Sequence, residues 1–153
     1  RFGVYVRGNL DHVEVRHALL YKAIDTWLGT GNRDWSTDLR AIYTRMQAQG
    51  DSAIARAEAR RIKDTKPSLA LEQYAGTYAD SLYGKAVVTF ENGTLRMRTS
   101  SKHAGNMEHW QYDTFRVNWD AEWRGSAMAT FSLGADGKPA EVRLNGGVYK
   151  KKP

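Results

Sequence analysis

Val87-Val88-Thr89-Phe90-Glu91-Asn92-Gly93-Thr94-Leu95-Arg96-Met97-Arg98 decides the fold. Two strand-forming runs flank Asn92-Gly93, and that dipeptide accepts the positive φ angles that a two-residue hairpin turn requires at both central positions. Asp136-Gly137 and Asn145-Gly146-Gly147 repeat the same turn chemistry further on. Working outward from the hairpin, eight candidate strands follow Leu69, at 72–79, 84–91, 94–100, 105–112, 114–119, 126–133, 139–145 and 147–150. Short strands at such spacing, joined by tight turns, predict an antiparallel barrel or sandwich and not a parallel α/β sheet.

The pattern differs before residue 66. Phe2-Gly3-Val4-Tyr5-Val6-Arg7-Gly8-Asn9 reads as one short strand ending in a turn. Asp11 and Glu14 have the spacing of a capping box, and Leu10, Val13, His17, Leu20, Ile24 and Trp27 form one helical stripe that Gly29 ends. A second helix is predicted from about Ser36 to Lys63, with Gly50-Asp51-Ser52 as the place for a kink. The chain therefore reads as α+β: an N-terminal strand and two helices, then an antiparallel β-barrel of about eight short strands.

With 153 residues, 41% of them hydrophobic, the chain is long enough to bury a core without staples. It contains no cysteine, which excludes disulfides and thiolate chemistry. No apolar run approaches the ~20 residues of a membrane span. The formal charge of +6 is not concentrated on one surface. Residues 1–66 carry 12 basic and 8 acidic side chains, and residues 67–153 carry 11 and 9, three of the positives being Lys150, Lys151 and Lys152. That distribution argues against a nucleic-acid reader, which gathers its charge in a groove or on a face. The Arg-rich helix and the lysine tail leave polyanion binding as a third-ranked reading.

Met107 to Trp119 carries the local information about a site. Trp110 and Tyr112 share one parity, and Phe115, Val117 and Trp119 share the other, so the apolar face slips by one residue at Asp113-Thr114. Asp113 is placed to satisfy the backbone amides that such a corner loosens, or to pair with His109. This polar cluster is read first as part of a barrel corner and second as a ligand site. An apolar pocket inside the barrel or at its mouth would be lined by Tyr78, Phe90, Trp110, Tyr112, Phe115 and Trp119.

Reaction chemistry finds little purchase. No serine is followed by x-x-Lys, and there is no Tyr-x-Asn, Lys-Thr-Gly or Gly-x-Ser-x-Gly. His103-Ala104-Gly105 matches a His-x-Gly element of some serine hydrolases, but only over three letters and in what reads as a polar turn. His12 and His17 lie five apart, off the i, i+4 spacing of a helical metal pair, and no set of three ligands is evident. No catalytic residue, cofactor or metal ligand is therefore assigned.

Two runs carry a resemblance. Thr65-Lys66-Pro67-Ser68-Leu69-Ala70-Leu71-Glu72-Gln73-Tyr74-Ala75-Gly76-Thr77-Tyr78 and Met107-Glu108-His109-Trp110-Gln111-Tyr112-Asp113-Thr114-Phe115 resemble, in the same order, the lipocalin-like domain of unknown function at the C-terminus of β-lactamase-related, penicillin-recognising serine hydrolases. Val4-Tyr5-Val6-Arg7-Gly8-Asn9 and the helix after it look like the last strand and helix of the hydrolase domain, although the family more often has Thr where this chain has Gly8.

The resemblance implies three parts: 1–30 as the strand–helix end of a hydrolase domain, 31–66 as a connecting helix, and 67–153 as a lipocalin-like barrel. It implies a bacterial parent, periplasmic or secreted, whose catalytic Ser, Lys and Tyr lie upstream of a processed or excised piece. The function expected is then a noncatalytic accessory module that assists active-site assembly, substrate access or oligomer contacts. The alternative is binding of a small hydrophobic ligand or peptide inside the barrel. The partners expected are the upstream hydrolase domain, a second copy in a homodimer, and a small apolar ligand. No nucleic acid and no membrane span are expected.

Overall fold

In the computed structural model, residues 1–9 and 13–153 are described, and they divide into two compact units, Arg1–Arg60 and Arg61–Pro153. Leu10, Asp11 and His12 lie outside the described residues, together with the cap and stripe positions assigned to them.

The second unit is a closed antiparallel barrel. Its strands are β1 (Gly76–Asp80), β2 (Gly84–Glu91), β3 (Thr94–Ser100), β4 (His103–Gln111), β5 (Thr114–Trp119), β6 (Ser126–Leu133), β7 (Pro139–Leu144) and β8 (Gly147–Lys151). Each pairs with the next, and β1 closes the ring on β8 through Tyr78 opposite Lys151 and Ala79 opposite Lys150. The hairpin chemistry read from the sequence holds at two of the three turns; at the third, Gly137 has a positive φ but Asp136 does not, and the β6–β7 connection spans 134–138. Asn92 and Gly93 take φ of 51° and 79°, and Asn145 and Gly146 take 49° and 82°. Both central residues thus lie in the left-handed region that lets a two-residue turn follow the strand twist.

Alternation fills the interior. Tyr78, Ala86, Val88, Leu95, Met97, Met107, Phe115, Val117, Ala129, Phe131, Val142 and Leu144 are buried in one cluster. Burying an aromatic or large aliphatic side chain contributes about 1.5–3 kcal/mol, so this shell supplies most of the unit's driving force. The first strand begins at Gly76 and not at residue 72, because Leu71–Tyr74 forms a 3₁₀ turn. That turn sends the Tyr74 ring into the barrel, where it meets Phe115 and Phe131 edge-on at centroid distances of 5.2 and 5.0 Å.

Gly105 marks a close approach between β4 and β5. A Cβ at this position would lie 2.3 Å from the Asn118 carbonyl oxygen and 2.9 Å from the Trp119 Cα. Both obstacles are backbone, which cannot swing aside as a flexible side chain can.

The first unit contains α1 (Val13–Leu28) and α2 (Trp35–Ala59). Asp34 caps α2, accepting hydrogen bonds from the Thr37 amide and hydroxyl, and these hold its carboxyl below the usual range. His17 Nδ1 lies 2.8 Å from the Tyr43 hydroxyl, and the Trp35 indole donates to Asp25 at 2.6 Å, so polar and aromatic contacts join the two helices. Two expectations need correction here. Phe2–Asn9 forms no strand, since a lone segment has no ladder and the described residues of this unit offer no other strand to pair with. Gly50 does not split the second helix, which runs unbroken for 25 residues and ends at Ala59.

The two glycines should respond oppositely to alanine. Gly105→Ala is expected to cost about 2–3 kcal/mol of barrel stability. Gly50→Ala, which meets no atom within 4 Å, should stabilise the helical unit by about 1 kcal/mol. Urea unfolding of both variants by circular dichroism checks the pair.

Candidate functional site

The two ends of the barrel differ. At one end, the turns at 92–93, 112–113 and 134–138 surround the 3₁₀ turn that carries Tyr74. At the other, the turns at 81–83, 101–102, 120–125 and 145–146 ring an open mouth.

The closed end is built on the corner read from the sequence. The β4–β5 register shifts between His109 and Gln111, and Tyr112 takes a φ of 46° at the turn. A bulge leaves backbone groups without ladder partners. Residues 61–68 supply partners for this corner. Arg61 donates to the carbonyls of Trp110 (2.9 Å) and His109 (3.3 Å). The Ile62 amide donates to the Gln111 side-chain oxygen, and the Tyr112 amide donates to the Thr65 hydroxyl.

Asp113 completes the arrangement. It accepts from the Ser68 amide and hydroxyl, each at 2.8 Å, and from the Tyr74 hydroxyl. Burial works to raise the Asp113 carboxyl, but the hydrogen bonds from Tyr74 and Ser68 outweigh it and hold the group below its usual range. Burial first, and then the bond to Asp113, push the Tyr74 phenol well above its ordinary value.

His109 and Asp113 share this corner without bonding to each other directly. The His109 Nε2 lies 2.9 Å from the Tyr112 carbonyl. Every bond found for this pair serves the scaffold.

The six aromatic pocket candidates separate. Tyr78 and Phe115 are core side chains, and the Tyr78 hydroxyl donates to the Tyr74 carbonyl. Trp110 is buried outside the barrel, between the guanidinium groups of Arg61 and Arg116 at 4.6 and 5.0 Å from its ring centroid. It continues the outward parity of Asn106 and Glu108 on β4. Phe90 and Tyr112 are 39% and 54% exposed at the ends of their strands. Trp119 alone among the six lines the mouth.

That mouth holds a cavity of about 370 Å³ between Tyr83, Thr99, His103, Trp119, Arg124, Leu144, Asn145 and Tyr149. Tyr149 is a core residue whose phenol is raised by burial first and by Asp80 second. His103 lies on β4 and not in a turn, in register with the inward-facing Gly105 and Met107. Its Nε2 is buried without a hydrogen-bond partner, a state that costs about 1–3 kcal/mol.

Sequence reasoning missed most of this set, because Tyr83, Arg124 and Asn145 sit in three separate turns that converge only when the barrel closes. The inward parity of His103 was the one available signal. A second cleft, of about 420 Å³ in the helical unit, is lined by Val15, Leu19, Arg33 and Trp35. Its guanidinium already pairs with Asp38 at 2.6 Å. Among the described residues, no three His, Asp or Glu side chains are placed to hold a metal ion, and no helix is long and apolar enough to cross a membrane.

A closed eight-stranded barrel with one plugged end and one open end defines the architecture. Residues 60–151 match the family described as domain of unknown function DUF3471, and the chain belongs to that family. Among solved structures, the chain is similar to the C-terminal domain of penicillin binding protein Rv0907. The identity is 27%, the match covers 60% of this chain and 94% of that one, and the TM-score is 0.49. It is also similar to SurE in complex with D-Leu, at 18% identity and a TM-score of 0.50, over 60% of this chain and 22% of that one. This second likeness concerns the fold. No curated protein matches the chain.

Asp113→Ala should remove about 2–3 kcal/mol of barrel stability, since it strips a charged acceptor from the buried Tyr74 hydroxyl and from Ser68. A lowered folded pKa means that the Asp113 contribution is complete above the ordinary carboxylate value near 4 and is lost as pH falls through the folded value. Urea midpoints measured from pH 7 to pH 2 should therefore fall less steeply in the variant than in the parent.

Proposed function

We propose that the chain is a noncatalytic C-terminal accessory module of a β-lactamase-related serine hydrolase. Membership of the DUF3471 family over residues 60–151 carries this reading. The two motif runs support it, and both belong to the corner that fastens residues 61–68 to the barrel. In this reading residues 1–30 are the closing strand and helix of the hydrolase domain, residues 31–66 connect, and residues 67–153 assist active-site assembly or substrate access. Bacterial origin and a periplasmic or secreted location belong to the same proposal.

The helical unit supports a role in contacts. Its side chains bury little: Tyr5, Val15, Leu19, Met46 and Ile54 are all more than half exposed, and Leu39 is the buried residue of α2. Apolar surface of this kind is covered by a partner in the working protein. The upstream hydrolase domain is the partner proposed, and a second copy of the chain takes its place when that domain is missing.

Two measurements test the proposal. The purified chain should neither hydrolyse nitrocefin, p-nitrophenyl esters or D-amino-acid amides nor react with a fluorophosphonate serine probe. Turnover that disappears on substitution of a residue of this chain would overturn the noncatalytic assignment. Light scattering should give the mass of a dimer for the chain and of a monomer after deletion of residues 1–30. The same monomer mass before and after would remove the proposed contact role.

A further inference from the structure

We propose that the open mouth of the barrel binds a small organic carboxylate with an apolar body, held by Arg124 and His103 and walled by Tyr83, Trp119 and Tyr149. The cavity of about 370 Å³ falls within the range of small-molecule sites. Its rim is built before any ligand arrives. The Asp80 carboxylate accepts from the amides of Leu82 (2.7 Å), Tyr83 (2.9 Å) and Val148 (3.3 Å), which fastens the β1–β2 turn to β8. Gly147 has no Cβ, and one placed there would lie 2.8 Å from the Tyr83 ring and 2.9 Å from the Tyr149 ring. The two tyrosines can stand together because this position is glycine.

The polar groups set the ligand's charge. Arg96, Arg116 and Arg143 each hold a carboxylate, at Asp120, Glu108 and Glu141. Arg124 has no such partner among the described residues, and its guanidinium lies 4.3 Å from the Trp123 ring centroid, with the cation at the mouth. Stacking orients a guanidinium so that its N–H edge stays available for a carboxylate. His103 adds a buried Nε2 that lacks a hydrogen-bond partner, beside the Trp119 ring at a centroid distance of 6.0 Å. A ligand oxygen would satisfy it. Asp80 bonds to three rim amides, and among the described residues no ion pair joins it to Arg124.

Aromatic walls alone would also suit an organic cation, but Arg124 at the same opening repels one. An inorganic anion would leave the three rings unused. A carboxylate joined to an aryl or alkyl group uses both features. This site stands on the barrel's own residues and does not depend on the accessory role.

The test uses the full chain with 4-phenylbutyrate, its neutral amide and phenyltrimethylammonium as probes, followed by calorimetry and tryptophan fluorescence. The carboxylate should bind saturably at about 1 mM or tighter, and the amide about tenfold more weakly. Arg124→Gln should weaken carboxylate binding about tenfold with an unchanged thermal midpoint, because this exposed side chain holds nothing in the fold. Trp119→Phe, which trims one wall of the site, should weaken calorimetric binding and reduce the fluorescence response. The proposal is overturned by no binding, by equal affinity for acid and amide, by preference for the ammonium, by an unaffected Arg124→Gln, or by a Trp119→Phe variant that binds and responds as the parent does. None of these results would disturb the accessory assignment, which rests on the other end of the barrel and on family membership.

Discussion

One carboxylate holds the incoming chain to the barrel. Asp113 stands at a corner where β4 slips against β5, and it takes two hydrogen bonds from Ser68 and one from Tyr74. Ionised acceptors make stronger hydrogen bonds than neutral ones, and a partly buried one has few competing waters. With Ser68 and Tyr74 held, the 3₁₀ turn has a fixed position and the Tyr74 ring has a fixed direction. Phe115 and Phe131 then pack edge-on against it, and Tyr78 meets Phe131 in the same way at 5.6 Å. The plug, the aromatic layer and the strap from Arg61 to Ser68 are consequences of the same corner.

The sequence disclosed strands better than faces. Turn dipeptides and alternation placed seven of the eight strands to within about two residues, because these signals are local. The first strand was started too early, since a 3₁₀ turn of Leu, Glu, Gln and Tyr has no local signature strong enough to displace an extended reading. Parity also located the slip near Asp113. It did not reveal that Trp110, in step with the outward-facing Asn106 and Glu108, would lie under two arginines, or that Phe90 would stand beyond the end of the core. The lone segment at Phe2–Asn9 looked like a strand because its composition is right, but a strand exists only through its neighbours. The mouth was legible in one residue, Trp119, since its polar groups are gathered by closure and not by periodicity.

The two ends divide the labour of the barrel. Large buried side chains pack the interior, and at the rim the aromatic faces are only partly used. The corner residues His109 and Asp113 looked equally suited to a ligand in the sequence. Their bonds go to Tyr112, Ser68 and Tyr74, which assigns them to holding the fold. The bonded corner cluster and the buried His103 Nε2 without a hydrogen-bond partner are thus found at opposite ends of one small domain.

The chain enters and leaves the barrel at the same end. Residues 61–68 arrive at the plugged end, and the Lys152 amide bonds back to the Thr77 carbonyl at 2.8 Å, beside the start of β1. The strap and the end of β8 therefore share one pole of the barrel, opposite the four turns of the rim. Such a rim is free to diversify. Loops there can lengthen or change character without disturbing the register of the ladder or the strap.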